Sequence, residues 1–123
     1  MKNIIVNTLV LTSLVIASSG PALAATAKKM EMPPLARINS CVACHAMDKK
    51  MVGPSWMDIS RKYKGATEYS YKSKIYPLEE GLIIKVSKGG SGVWGSMPMP
   101  ANSPAVKPSE IKELVQFILR LTK

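Results

Sequence analysis

The chain has 123 residues, with 17 Lys and Arg against 8 Asp and Glu and a formal charge of +9, which bounds it to one small basic domain. Two Trp and one Phe are few bulky side chains with which so small a domain can fill its own centre, so a non-protein body is expected there. The charge suits acidic protein partners or plain solubility and says nothing of fold; a monomer is expected, with no nucleic-acid partner and at most transient contact with a membrane surface.

Lys2 is followed by the apolar run IIVNTLVLTSLVIA and the small-residue exit PALAA, the pattern of a secretory signal peptide. Asn7, Thr8 and Thr12 interrupt the run, which is also short for a bilayer span, so a cleaved leader is favoured over a membrane anchor. Ala22-Leu23-Ala24 forms the expected cleavage box, Ala25-Thr26-Ala27 is the other option, and no cysteine stands at the exit to carry a lipid. Residues 1–24 are thus expected to be removed on export to the periplasm, an oxidising compartment where neighbouring thiols ordinarily pair. Residues 25–34, ATAKKMEMPP, read as a flexible arm, and residues 35–123 as the folded domain.

Leu35, Ile38 and Val42 recur at helical spacing, so a first helix is expected from Leu35 into NSCVACHAM, until MVGP stops it. Residues 55–64, SWMDISRKYK, suit a short helix with Trp56, Ile59 and Tyr63 on one face. The stretch 65–81, GATEYSYKSKIYPLEEG, is polar and rich in Tyr and Lys, and reads as a solvated loop or irregular helix. Leu78, Leu82, Ile83 and Val86 mark a third helix that stops at Gly89-Gly90. From Gly89 to Pro108 the Gly and Pro are too dense for a regular element, although Trp94, Met97 and Met99 are more than a linker needs. A last helix is expected near Ser109 as N-cap, with Glu110 in its first turn and Ile111, Leu114, Val115, Ile118 and Leu119 as its apolar stripe. No strand pattern is convincing, and the fold class reads as all-α.

Both cysteines and the single histidine fall within five positions, at Cys41, Cys44 and His45. On a helix these positions share one face. That arrangement suits a planar ligand gripped at its edge by two sulfurs while the imidazole reaches its centre. C-x-x-C-H is the attachment signature of c-type haem: each thiol adds to a vinyl group to give a thioether, and His45 becomes an axial iron ligand. A dithiol oxidoreductase would place C-x-x-C in a βαβ context that is missing here. A structural zinc site wants four ligands where only three Cys and His exist, and a plain disulfide leaves His45 without a role.

The second axial position decides the chemistry. With no second histidine, bis-His ligation within one chain is excluded, leaving methionine, lysine, tyrosine or an open position. Met47, Met51 and Met57 follow His45 closely, and Met30 and Met32 lie in the arm. Met97 and Met99 sit far downstream in a stiff Pro-flanked segment, and the residues alone do not separate them. A thioether is a soft, weak ligand that raises the reduction potential, and a six-coordinate iron excludes substrates, as an electron carrier requires.

CVACHAMDKKMVGPSWMDISRKYKG and GVWGSMPMPAN resemble the matching segments of small bacterial class I mono-haem cytochromes c, the c551/c552 type, with a likeness running from Leu35 to the end. The resemblance implies three to five helices wrapped around one covalent haem c, with the N- and C-terminal helices crossing. It selects Met99 over Met97 as the axial sulfur. It also implies that the Pro54 carbonyl orients the histidine's second nitrogen, that Asn102 bonds near the Met99 sulfur, and that Lys85 and Trp94 reach a haem propionate. Relatives often have glycine where this chain has Ser40 and an aromatic where it has Ala36; Phe117 keeps the aromatic of the last helix.

The function implied is that of a soluble periplasmic one-electron carrier between respiratory redox proteins, not an enzyme. It would dock on acidic patches of partners such as a terminal reductase or oxidase and a quinol-oxidising complex. The alternatives are a haem enzyme or gas sensor with an open or displaceable distal ligand, or a cytochrome subunit fixed in a larger respiratory complex.

Overall fold

The computed structural model describes Gly20 and residues 30–123. Apart from Gly20, the expected leader, both cleavage boxes and the start of the arm lie outside the described residues. Among the described residues no helix is long and apolar enough to cross a membrane.

Pro34 opens α1 (Pro34–Ile38) at the position where a missing N–H breaks no hydrogen bond. The helix does not run on through the cysteines as expected. Ser40 takes left-handed backbone, φ 58° and ψ 16°, and Cys41–Ala43 form a separate 3-10 turn. Ile38, expected on the inner face, is 76% exposed, and Ala36 is fully buried instead. One α-type step survives, because the His45 N–H donates to the Cys41 carbonyl at 3.0 Å. Cys41 and His45 therefore remain one turn apart.

Helix α2 (Trp56–Lys62) matches the expected segment. Its N-cap is Ser55, which accepts from the Asp58 N–H at 3.0 Å and donates its hydroxyl to the Asp58 carboxylate at 2.7 Å. These bonds, with Arg61 at 2.7 Å, hold the Asp58 carboxyl below its ordinary range.

The 65–81 stretch corrects the expectation of a loop. Glu68–Tyr71 (β1) and Lys74–Pro77 (β2) pair antiparallel, with Tyr69 opposite Tyr76 and Tyr71 opposite Lys74. Tyr69 is buried between exposed Glu68 and Ser70, the alternation of a half-buried strand compressed into four residues. The turn is Lys72-Ser73, both with positive φ (49° and 63°), a geometry ordinarily signalled by Asn or Gly. Hence no turn signal was present to read.

Helix α3 (Leu78–Lys88) follows directly, with Glu79 and Glu80 in its first turn and Lys85 and Lys88 in its last. A second hairpin then occupies the segment expected to hold no regular element: Gly90–Gly92 (β3) pairs with Gly95–Met99 (β4), Gly90 opposite Met99. Its residues are almost all exposed, so backbone bonds rather than a buried face make the strands, and no apolar alternation announced them. Helix α4 (Pro108–Arg120) begins one residue before Ser109, with Pro108 first in the helix and Lys107 as N-cap. Glu110 accepts from the Lys107 N–H at 3.0 Å, and proline's fixed φ favours that start.

The fold is thus four helices and two small antiparallel hairpins among the described residues, not helices alone. The α4 stripe is buried as expected at Ile111, Leu114, Val115 and Ile118, and it joins two apolar clusters. One contains Tyr69, Leu82, Val106, Ile111 and Val115; the other contains Ala36, Trp56, Leu114 and Ile118, with Met32 and Met47 packed against it. The first and last helices meet through Ala36, and the Phe117 ring stands edge-on to Trp56 of α2 at 5.8 Å.

Candidate haem-binding site

A deep cleft opens between the two clusters, with about 1290 Å³ of space free of protein atoms when the open solvent in front of it is included. Its walls are apolar, from Trp56 and Ile59 of α2, Leu82 and Val86 of α3, and Leu114, Val115 and Ile118 of α4. Cys41, Cys44 and His45 line one part of it, and Trp94, Met97, Met99 and Asn102 line another.

The His45 ring is fixed by the loop that follows it. Backbone bonds from Gly53 N–H to Cys44 (2.9 Å), Trp56 N–H to Ala46 (3.0 Å) and Met57 N–H to Met47 (2.9 Å) zip the two stretches together. Pro54 is thereby placed so that the His45 Nδ1–H donates to its carbonyl at 2.7 Å. A carbonyl only accepts, so Nδ1 carries a proton, and in the neutral imidazole Nε2 is then the nitrogen with the free lone pair, the form that binds a metal. Gly53 leaves room for this: a Cβ there would lie 2.6 Å from Cε1 and 3.0 Å from Nδ1 of His45. Sequence reading gave Pro54 a role through the resemblance and missed Gly53, whose signal was its place in the VGP turn.

The two cysteines are free thiols, both half-buried. Burial, and secondarily the neighbouring Cys44, push the Cys41 thiol up, against its own backbone hydrogen bond. A reactive dithiol pair works by the opposite shift. Among the described residues no group of three His, Cys, Asp or Glu is placed to hold a bare metal ion. Neither the raised Cys41 thiol nor the donor set among the described residues favours dithiol or zinc chemistry.

Of the methionines, Met97 and Met99 line the cleft. Met97 is 65% exposed, whereas Met99, at the end of β4, is half-buried. Met32 and Met47 are spent on packing and Met51 is exposed. The Asn102 amide, expected near the Met99 sulfur, donates to the carbonyls of Val86 at 3.0 Å and Pro100 at 3.2 Å. Lys85 lines the cleft but bonds the carbonyls of Gly89 and Gly90. Trp94 is 39% exposed at the mouth, with the Lys62 ammonium 5.5 Å above its ring.

The sequence matches the cytochrome c family model over residues 19–122. The chain belongs to the cytochrome c family. It is 41% identical over 87 residues to cytochrome c-552 of Hydrogenobacter thermophilus, covering 71% of this chain and 78% of that one. It is 35% identical over 102 residues to cytochrome c-551 of Pseudomonas aeruginosa, covering 83% and 88%. The crystal structure of Nitrosomonas europaea cytochrome c552 superposes with a TM-score of 0.58 at 38% identity, over 69% of this chain and 93% of the other.

This cytochrome has the class I cytochrome c fold and carries one covalently attached haem c. The residues present fit that group: two free thiols, an imidazole whose Nδ1 is tied to the Pro54 carbonyl so that Nε2 is the nitrogen left to bind a metal, and apolar walls converge on one cleft.

Proposed function

We propose that this cytochrome is a periplasmic one-electron carrier between respiratory redox proteins, with Cys41 and Cys44 as thioether anchors and His45 and Met99 as axial ligands. The bound haem supplies a one-electron couple at its iron. His45 offers Nε2 because Pro54 holds Nδ1–H, and this bond is the observation that carries the reading. Met99 is favoured over Met97 by its shelter on the cleft wall. With both axial positions filled from the chain, substrates are kept off and little rearranges when an electron moves; a thioether also favours the reduced state.

The mouth of the cleft supports docking. Val52, Trp94 and Met97 expose apolar surface there (54%, 39% and 65%), with Lys62 beside Trp94. Lysines around such a face steer the protein to acidic patches, an attraction screened within about 10 Å at 0.1 M salt. Residues 1–24 act in this reading as a leader removed on export, and the intact mass of the secreted protein places the cut after Ala24 or after Ala27.

Spectroscopy of the purified protein tests the ligand set. A sulfur-to-iron charge-transfer band in the ferric form and strongly shifted methionine methyl signals in the ferrous form are expected. Met99→Ala removes both while Met97→Ala keeps both. Rapid carbon monoxide binding to the reduced wild type would instead point to an open distal position, and a colourless product from a strain with haem-attachment machinery would end the proposal.

A further inference from the structure

The corner between α3 and β3 gathers hydrogen bonds from two distant side chains. Gly89 ends α3 at φ 70°, and a Cβ there would strike the Met99 carbonyl oxygen and lie 2.7 Å from the Pro100 carbonyl carbon. The backbone that leaves Met99 thus rests directly on Gly89. The Gly89 carbonyl accepts from the Tyr71 hydroxyl at 3.2 Å and from the Lys85 ammonium at 3.5 Å. Lys85 also donates to the Gly90 carbonyl, and Gly90 is the residue opposite Met99 in the β3–β4 ladder.

Lys85 has no carboxylate within ion-pair reach among the described residues, and burial holds its pKa below the ordinary lysine value. A partly buried ammonium gains from acceptors, and these two carbonyls accept from it. Tyr71 comes from the β1–β2 hairpin, the segment that reads in the sequence as a solvated loop or irregular helix. That hairpin is seated by Tyr69, whose ring packs where Gly81 of α3 leaves space; a Cβ on Gly81 would lie 2.7 Å from the Tyr69 Cβ.

We infer that Tyr71 and Lys85 are positioning residues for Met99, clamping the Gly89–Gly90 corner and so holding the strand that brings the methionine sulfur to the cleft. The inference rests on Met99 being the axial ligand. It gives the Tyr- and Lys-rich hairpin a function, that of a brace behind the ligand strand. Withdrawal of the sulfur requires β4 to lift from Gly89, and each clamp bond opposes that motion.

The test uses the haem-loaded protein and its variants Tyr71→Phe, Lys85→Met, the double variant, Lys85→Arg and, as control, Tyr76→Phe on the same hairpin. Two quantities are read for each: the thioether charge-transfer band of the ferric form, and the rate at which added imidazole displaces the sixth ligand. The band is expected in all of them. Imidazole uptake should quicken roughly three- to tenfold in Tyr71→Phe and in Lys85→Met, as losing one net hydrogen bond allows, and further in the double variant. Lys85→Arg, which still donates, should stay within about twofold of wild type, as should Tyr76→Phe. The clamp is refuted if the two single variants match wild type with the band intact, or if Tyr76→Phe quickens uptake equally. It is also refuted if Lys85→Met shifts only the reduction potential, the mark of a propionate contact. A wild type without the band overturns the axial assignment itself, a failure visible before any variant is compared.

Discussion

The His45 imidazole lies against the backbone of residue 53, and the absence of one methyl group there sets its position. Gly53→Ala would place a Cβ 2.6 Å from Cε1, against a ring with its Nδ1–H tied to Pro54 at 2.7 Å. The ring must move or the loop must open. We expect a loss of about 1–3 kcal/mol, the usual cost of overpacking, seen as a lower denaturation midpoint together with an altered axial-ligand spectrum. Ser40 presents the reverse case. It sits at φ 58°, where an L side chain is disfavoured by about 1–2 kcal/mol, while glycine gives back part of that in unfolded-chain entropy. Ser40→Gly is expected to stabilise the protein by about 0.5–1 kcal/mol in chemical denaturation. The glycine that the resemblance puts at this position would thus have a reason in the backbone. The cysteine and histidine positions were legible because their spacing is itself the chemistry. Residues 40 and 53 were not, because neither the sign of φ nor the approach of a ring eight residues away is written in residue type.

At the scale of elements, α2, α3 and α4 were legible, α1 only in part, and the hairpins were not. Those three helices carry an apolar period that registers, whereas α1 ends after five residues with Ile38 exposed, β1 and β2 offer four residues apiece and turn at Lys72-Ser73, and β3 and β4 bury almost nothing. What ties the first hairpin to the body is a pair of phenols: Tyr69 stands edge-on to Tyr63 of the α2 C-terminus at 5.6 Å. Burial is the main reason both hydroxyls titrate above the ordinary value of 10.0, with the neighbouring tyrosine adding to it for Tyr63. An acid whose folded pKa is raised holds its proton more tightly in the native state. Its stabilising contribution is therefore complete below pH 10 and is lost as pH climbs above it, where unfolded chains ionise and the folded one resists. The cytochrome should weaken in alkali beyond pH 10, and Tyr69→Phe should flatten that decline. Denaturant midpoints measured across that range check it, and a variant with an unchanged slope would show that the tyrosine contributes nothing to it.

The whole molecule is built as two apolar clusters on a shared α4 spine, with the cleft between them and the β3–β4 hairpin along its edge. The clusters have cores of their own: Ile111 is fully buried, and Val115 and Leu114 are 2% and 4% exposed. The hairpin has none, since residues 91–98 are all exposed. It packs chiefly on itself and is attached through Gly89, Tyr71, Lys85 and the Asn102 amide. In the loaded protein the covalent haem c would supply the apolar body that this hairpin lacks. The order of residues 90–100 should therefore depend on that group far more than the order of α3 and α4 does. If the chain is produced without haem attachment, amide exchange in 90–100 should approach that of a frayed segment, while Leu114, Val115 and Ile118 keep part of their protection. Hydrogen exchange of the loaded and unloaded forms, read segment by segment, decides it. Equal protection of 90–100 in both forms would mean that the hairpin is held by its own backbone and clamp alone, and uniform loss along the chain would mean that the two clusters cannot stand without the group between them.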